Sequence, residues 1–181
     1  METNKLKLTR LQSEIFSLLC KRAGLELNQN SIAKELKVSS TAVSKALKTL
    51  KKEDLILVTK QGTMNLILIS LNRNNRRIMQ LKRVENLRQI YESGLVDELE
   101  EKFAGSTIVL FGSYSRGDDN FKSDIDLAVI GRKNKEVSLI TFEKILEKKI
   151  IINFYPTLKK IHKELKENIC NGIVLVGGLE L

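Results

Sequence analysis

Two aspartates one residue apart, Asp124 and Asp126 in "SDIDLAVIG", stand at the start of an apolar run that reads as a β-strand. Strand residues i and i+2 project from one face. The two carboxylates therefore share a face and repel each other unless a cation sits between them. Hard oxygen ligands of this kind suit Mg²⁺. Held there, the ion bridges the phosphates of a nucleoside triphosphate and lowers the pKa of an attacking hydroxyl, which is the chemistry of phosphoryl or nucleotidyl transfer. Just upstream, "STIVLFGS" reads as a buried strand ending in a turn, where Gly112 allows close backbone approach and Ser113 offers a hydroxyl and an amide. Amides at a strand-to-helix junction receive phosphate oxygens, and Arg116 adds either a phosphate contact or an ion pair that holds the loop. "GSYSRG" is not a Walker A loop, because no Gly-Lys-Ser/Thr follows it.

The run Gly112-Ser113, Arg116-Gly117, five residues and then Ser123-Asp124-Ile125-Asp126 resembles the signature of the minimal nucleotidyltransferases of the DNA polymerase beta superfamily, over about residues 98–181. The resemblance implies an α/β (α+β) domain with a mixed sheet. It implies nucleotide-binding roles for Gly112, Ser113, Arg116 and Ser123, and catalytic, metal-holding roles for Asp124 and Asp126. The cofactor it implies is Mg²⁺ or Mn²⁺, with a nucleoside triphosphate as substrate or ligand. It also brings a HEPN-type protein partner into view. The family usually carries a third carboxylate on a later strand, and the segment here that should carry it, "KKIIINFYP", has no acid. Its inward candidates are Ile150, Ile151, Ile152 and Asn153, with Glu147 and Glu164 the nearest acids, in flanking helical segments. An asparagine amide oxygen ligates but neither acts as a base nor supplies the missing charge.

The elements that must position this motif, and the rest of the chain, follow from periodicity. In "RLQSEIFSLLCKRAG" Leu11, Ile15, Leu18 and Leu19 mark one face of a helix ending near Gly24. "NSIAKELKVSS" offers Asn30 or Ser31 as N-cap and buries Ile32, Ala33 and Leu36. "STAVSKALKTLKKEDL" places Val43, Leu47 and Leu50 on one stripe after a turn at residues 37–39. Two strand-like runs, "LILVTK" and "TMNLILIS", follow around a turn at Gln61–Gly62. Three helices and a hairpin make a winged helix-turn-helix domain, assigned to residues 1–72. Its third helix would enter a major groove of double-stranded DNA with Ser40, Thr41, Ser44, Lys45 and Lys48 outward, and Lys60 near the wing.

Charge supports that placement. The 181-residue chain carries a net +9, and residues 1–72 hold twelve Lys and Arg against six acids, the largest local excess. Residues 73–104 show Ile78, Leu81, Val84, Leu87 and Tyr91 at threes and fours and read as a connector helix interrupted near Gly94. The nucleotidyltransferase-like part is assigned to residues 105–181. There "VSLITFEKILEKK" reads as a helix, "TLKKIHKELKENIC" as another with Leu158, Ile161, Leu165 and Ile169 on one face, and "GIVLVGG" as a terminal strand. The sole histidine, His162, is read as a boundary residue. Cys20 and Cys170 are too few for a disulfide framework or a zinc site and are read as small core hydrophobes. No apolar run is long enough to span a bilayer, so a cytoplasmic protein is expected, without a membrane partner.

Two functions remain open on the sequence. One is a DNA-tethered transferase moving a nucleoside monophosphate to a protein or small molecule. The other is a regulator whose transferase-like domain senses nucleotide or dimerises. A homodimer is the usual form in which helix-turn-helix proteins meet DNA.

Overall fold

The computed structural model describes residues 6–61 and 66–179. The chain divides into two compact units, Met1–Ile78 and Met79–Leu181. In the first, helix α1 (Arg10–Lys21) opens on a capping box: Thr9 N donates to Gln12 Oε1 at 2.8 Å, and Gln12 N to Thr9 Oγ1 at 3.4 Å. A two-residue strand β1 (Leu27–Asn28) leads into α2 (Gln29–Glu35). The N-cap of α2 is Asn28, whose Oδ1 accepts from Ser31 N at 2.8 Å, and not Asn30 or Ser31 as expected. Asn30 Oδ1 is engaged elsewhere, accepting the hydroxyl of Ser40 at 2.9 Å. Helix α3 (Ser40–Lys52) is capped by Ser39, and strands β2 (Ile56–Gln61) and β3 (Leu66–Leu71) pair antiparallel from Ile56↔Leu71 to Gln61↔Leu66. The turn expected at Gln61–Gly62 falls partly outside the described residues, since Gly62–Asn65 are not among them. Strand β1, not foreseen, adds to the far edge of β3. Ile15, Leu19, Ile32, Val43, Leu50, Leu55 and Ile69 are buried, so the three helices and the hairpin close on an apolar centre as a winged helix.

The second unit begins in α4 (Arg76–Glu92), followed after Gly94 by α5 (Leu95–Lys102). Then come β4 (Thr107–Phe111), the short α6 (Gly112–Arg116), β5 (Ile125–Ile130), α7 (Ile140–Leu146) and β6 (Ile150–Tyr155). A 3₁₀ turn (Leu158–Lys160), α8 (Lys163–Cys170) and β7 (Ile173–Val176) complete it. The sheet order is β6-β5-β4-β7, with β5 and β6 parallel and both other pairs antiparallel, the mixed sheet that was expected. One face (Ile108, Leu110, Leu127, Val129) packs with Leu95, Leu99 and Phe103 of the α5 region. The opposite face (Val109, Phe111, Ala128, Ile130) packs with Leu158, Ile161 and Ile169.

Three readings of the sequence need correction. The connector stripe is only in part the buried face of α4: Ile78 is buried and Leu87 packs on the core, but Val84 is 66% and Tyr91 48% exposed, and Lys82, Asn86 and Gln89 are buried beside Ile90. A polar face is inside because polar partners await it there, as the site shows. Residues 157–170 are not one helix, since the backbone is extended at Ile161 and His162 between the 3₁₀ turn and α8. On a 3₁₀ turn i and i+3 eclipse, so Leu158 and Ile161 reach the same core without a longer helix. Cys20 is buried but Cys170 is exposed. Among the described residues, no helix is long and apolar enough to cross a membrane.

Candidate nucleotide and metal site

Strands β4 and β5 run side by side, and their register places Phe111 opposite Asp126. The residue after Phe111 is therefore set against the Asp126 side chain. That residue is Gly112, at φ +74°, and a Cβ built on it would collide with Asp126 Oδ2 and lie 3.2 Å from Cγ. Only glycine tolerates both the backbone angle and the carboxylate. From this point α6 turns away and ends at Gly117 (φ +82°), where an added Cβ would meet Met79 O at 2.6 Å and Arg83 N at 2.9 Å on α4. The turn after α6 is thus seated directly on the α4 backbone.

Asp126 is half-buried and Asp124, at the mouth of β5, is exposed. Burial pushes the Asp126 carboxyl above the usual carboxylate range, the charge of Asp124 pushes it further, and Arg116 partly opposes them. Arg116 is ion-paired to Asp118 (3.1 Å) and donates to Asn168 Oδ1 (3.3 Å). Ser113 is half-buried. Ser123 closes the loop before β5: its Oγ accepts from Asn120 N at 3.0 Å, and its own N donates to Asn120 O at 3.1 Å.

Beside Asp126 on the parallel ladder lies Ile151, 41% exposed, and Asn153 is opposite Ala128, two pairs further along. Glu147 is at the C-cap of α7 and Glu164 is an exposed residue of α8. Among the described residues no group of three or more His, Cys, Asp or Glu is placed to hold a metal. Two carboxylates above a glycine cradle nevertheless fit one Mg²⁺, which keeps several waters and takes substrate phosphates as its remaining ligands.

Beneath this rim is a cluster that the sequence reading missed. Asp119, buried, ion-pairs through Oδ1 with Lys82 Nζ and accepts from Asn86 Nδ2 at 2.7 Å. Its Oδ2 lies 3.4 Å from Lys148 Nζ and has no hydrogen bond, so that contact is held by charge. Asn86 Nδ2 also donates to Tyr114 O at 2.9 Å, while Lys148 Nζ donates to Asn120 O at 2.6 Å and Ser123 O at 3.2 Å. Burial pushes the Lys148 ammonium below its ordinary value, opposed mainly by Asp119. Lys82 and Asn86 are four apart on α4, a signal visible in sequence, but the competing apolar stripe concealed it.

In the first unit, α3 turns Thr41, Lys45 and Lys48 to solvent, with Ser44 half-buried. Ser40 is committed internally, its hydroxyl to Asn30 and its carbonyl to Gln29 Nε2 at 2.8 Å. Thr41, Ser44, Lys45 and Lys48 are spaced i, i+3, i+4 and i+7, so they form one outward face opposite the buried Val43, Leu47 and Leu50. Lys60 on β2 is exposed.

No curated protein matches the chain. Among solved structures it is similar to a zinc-responsive MarR family member, Lactococcus lactis ZitR, at 28% identity over 57% of this chain and 68% of that one, with a TM-score of 0.43. It is similar to the adhesin competence repressor AdcR of Streptococcus pyogenes at 25% identity, 57% and 72% coverage and a TM-score of 0.44. A ZitR variant in complex with DNA aligns at 27% identity, 58% and 68% coverage and a TM-score of 0.42. Residues 92–176, which contain β4, the Gly112 turn and the Asp124–Asp126 pair, match the family model of the nucleotidyltransferase domain.

Proposed function

We propose that the second unit binds a nucleoside triphosphate with Mg²⁺ or Mn²⁺ at the β4–α6–β5 junction, and that the first unit binds double-stranded DNA through α3. The observation that carries the nucleotide reading is the contact of Gly112 with Asp126: a carboxylate occupies the space a Cβ would fill, beside a second carboxylate two residues away. Gly112 and Ser113 would present the α6 turn to the triphosphate, with Arg116 and Ser123 at its edge, and Asp124 and Asp126 would hold the cation. The bound cation would supply charge neutralisation and a lowered pKa for an acceptor hydroxyl. Transfer of a nucleoside monophosphate to a protein or small molecule is the activity that the intact aspartate pair supports. A HEPN-type protein partner is proposed on the family resemblance alone, and a homodimer on the habit of helix-turn-helix proteins.

A second reading has its own observation. Ile151 stands where a further acid would face Asp126, and an exposed isoleucine neither ligates nor accepts a proton. On that reading the domain senses nucleotide for a transcription regulator and turns over slowly or not at all. Each labelled nucleoside triphosphate, incubated with the purified chain, Mg²⁺ or Mn²⁺ and cell extract, separates the two. Label transfer that disappears in the Asp124→Asn/Asp126→Asn chain supports the transferase. Calorimetric binding without transfer supports the sensor, and absence of both removes the proposal.

A further inference from the structure

The buried cluster beneath the site carries two positive charges against one negative. Two lysines and an aspartate are taken out of water together, with Lys82 and Asp119 wholly inaccessible at the side chain and Lys148 4% accessible. Buried ammonium groups are retained only when their donors are used. Lys148 spends its charge and its donors on one loop: it is ion-paired with the carboxylate of Asp119 and donates to the carbonyls of Asn120 and Ser123, all within residues 118–124. Asp124 is the next residue after Ser123. The backbone repeats the tie, Ile125 N donating to Lys149 O at 2.8 Å, so the chain on either side of Asp124 is fixed to the start of β6.

We infer that Lys148 is a positioning residue for the metal ligand Asp124: anchored on Asp119, it clamps the 118–124 loop so that Asp124 meets the same cation as Asp126. This rests on the metal–nucleotide reading above. Asp119 is held from its other side by Lys82 and Asn86 of α4, so the clamp is referred to a helix and not to a second loop. The Gly112–Ser113 turn is built by β4 and α6 and takes no hydrogen bond from Lys148. Loss of Lys148 therefore acts first on the cation half of the site and reaches the phosphate half only at its edge, through Ser123 O and the Tyr114 ring 5.8 Å away.

That division defines the test. The affinity of the full-length chain for the β,γ-imido analogues of ATP and GTP is measured by calorimetry in EDTA and again with Mn²⁺, and the gain on adding Mn²⁺ is compared across variants. In Lys148→Met that gain falls about 10- to 100-fold, as for other groups that orient a metal ligand, while the affinity in EDTA stays within about twofold of the unmodified chain. Lys149→Met removes an exposed neighbouring lysine and leaves both values unchanged. Should Lys148→Met not fold, Lys148→Gln, which keeps an N–H for Asn120 O, gives a smaller loss in the same direction. An unchanged Mn²⁺ gain overturns the inference, and so does an equal loss with and without Mn²⁺, which marks a merely structural lysine. An unmodified chain that binds neither analogue overturns the nucleotide reading itself, and the inference with it.

Discussion

Helices α3 and α4 look alike in sequence, both basic and both apolar at threes and fours, yet α3 buries only apolar residues while α4 buries polar ones beside its isoleucines. Helix α3 turns Val43, Leu47 and Leu50 inward and its lysines out. Helix α4 leaves Val84 and Tyr91 in solvent and puts Lys82 and Asn86 inside. The difference lies in what each helix covers. Helix α3 closes an apolar centre, so the hydrophobic effect selects its stripe. Helix α4 lies over Asp119, a carboxylate that cannot stay buried without donors, so hydrogen bonding and charge select the other side. Which face of a helix is inside is therefore a property of the pair of surfaces, and a buried lysine is read from its acceptor.

The largest effect should come from removing that acceptor. Asp119→Leu leaves two buried ammonium groups facing each other and should cost about 3–5 kcal/mol. Lys82→Met leaves Asp119 paired to Lys148 and Asn86 and should cost well under half as much. Native-state hydrogen exchange in β4 and β5 reports both values. Equal costs would mean that the cluster is held by packing, and the contrast with α3 would lose its electrostatic basis.

The apolar stripes give the next test. Leu50→Ala on α3 should cost about 2–5 kcal/mol, since it opens a cavity in a closed core. Val84→Ala, the matching deletion on the α4 stripe, should stay within about 0.5 kcal/mol. Urea midpoints decide it, and a Val84 cost approaching that of Leu50 would restore the face that periodicity chose.

The outward face of α3 is tested by charge. Reversal of Lys45 and Lys48 to Glu should remove most DNA binding, and Ala at both should make the slope of log K against log salt shallower by about 2, one phosphate contact for each lysine. Retained affinity with an unchanged slope would move the contact to another surface.

The sequence was most legible where one rule governs. Continuous apolar runs mark β4 and β5, and the Gly112 and Asp126 positions fall together because strand register fixes them. The winged helix follows from three apolar stripes and a hairpin, though not the Asn28 cap, because Asn30 and Ser31 are equally good candidates until Ser40 is seen to engage Asn30. Hidden from sequence were contacts joining distant segments, such as Lys82 to Asp119 and Lys148 to Asn120. No local periodicity encodes a partner 37 residues away, and hydropathy assigns every lysine to the surface. Ile151 is intermediate: the absence of an acid in "KKIIINFYP" was plain, but which residue faces Asp126 needed the parallel register.

The smallest effect concerns the rim itself, where the two regions differ most. The buried cluster satisfies its acid, while the rim leaves Asp126 above the usual carboxylate range, through burial first and the charge of Asp124 second. An acid whose pKa is raised in the folded chain costs stability when ionised, and the cost is relieved as pH falls through that raised value. In EDTA at neutral pH, Asp126→Asn should therefore melt about 1–3 °C above the unmodified chain, and the gap should close on acidification. Added Mn²⁺ and nucleotide should then raise the melting point of the unmodified chain only, since the amide cannot supply the ligand charge. A variant less stable than its parent in EDTA would mean that Asp126 is already satisfied by its neighbours. The repulsion that makes this pair of carboxylates a cation site would then be absent, and the rim would be as structural as the cluster beneath it.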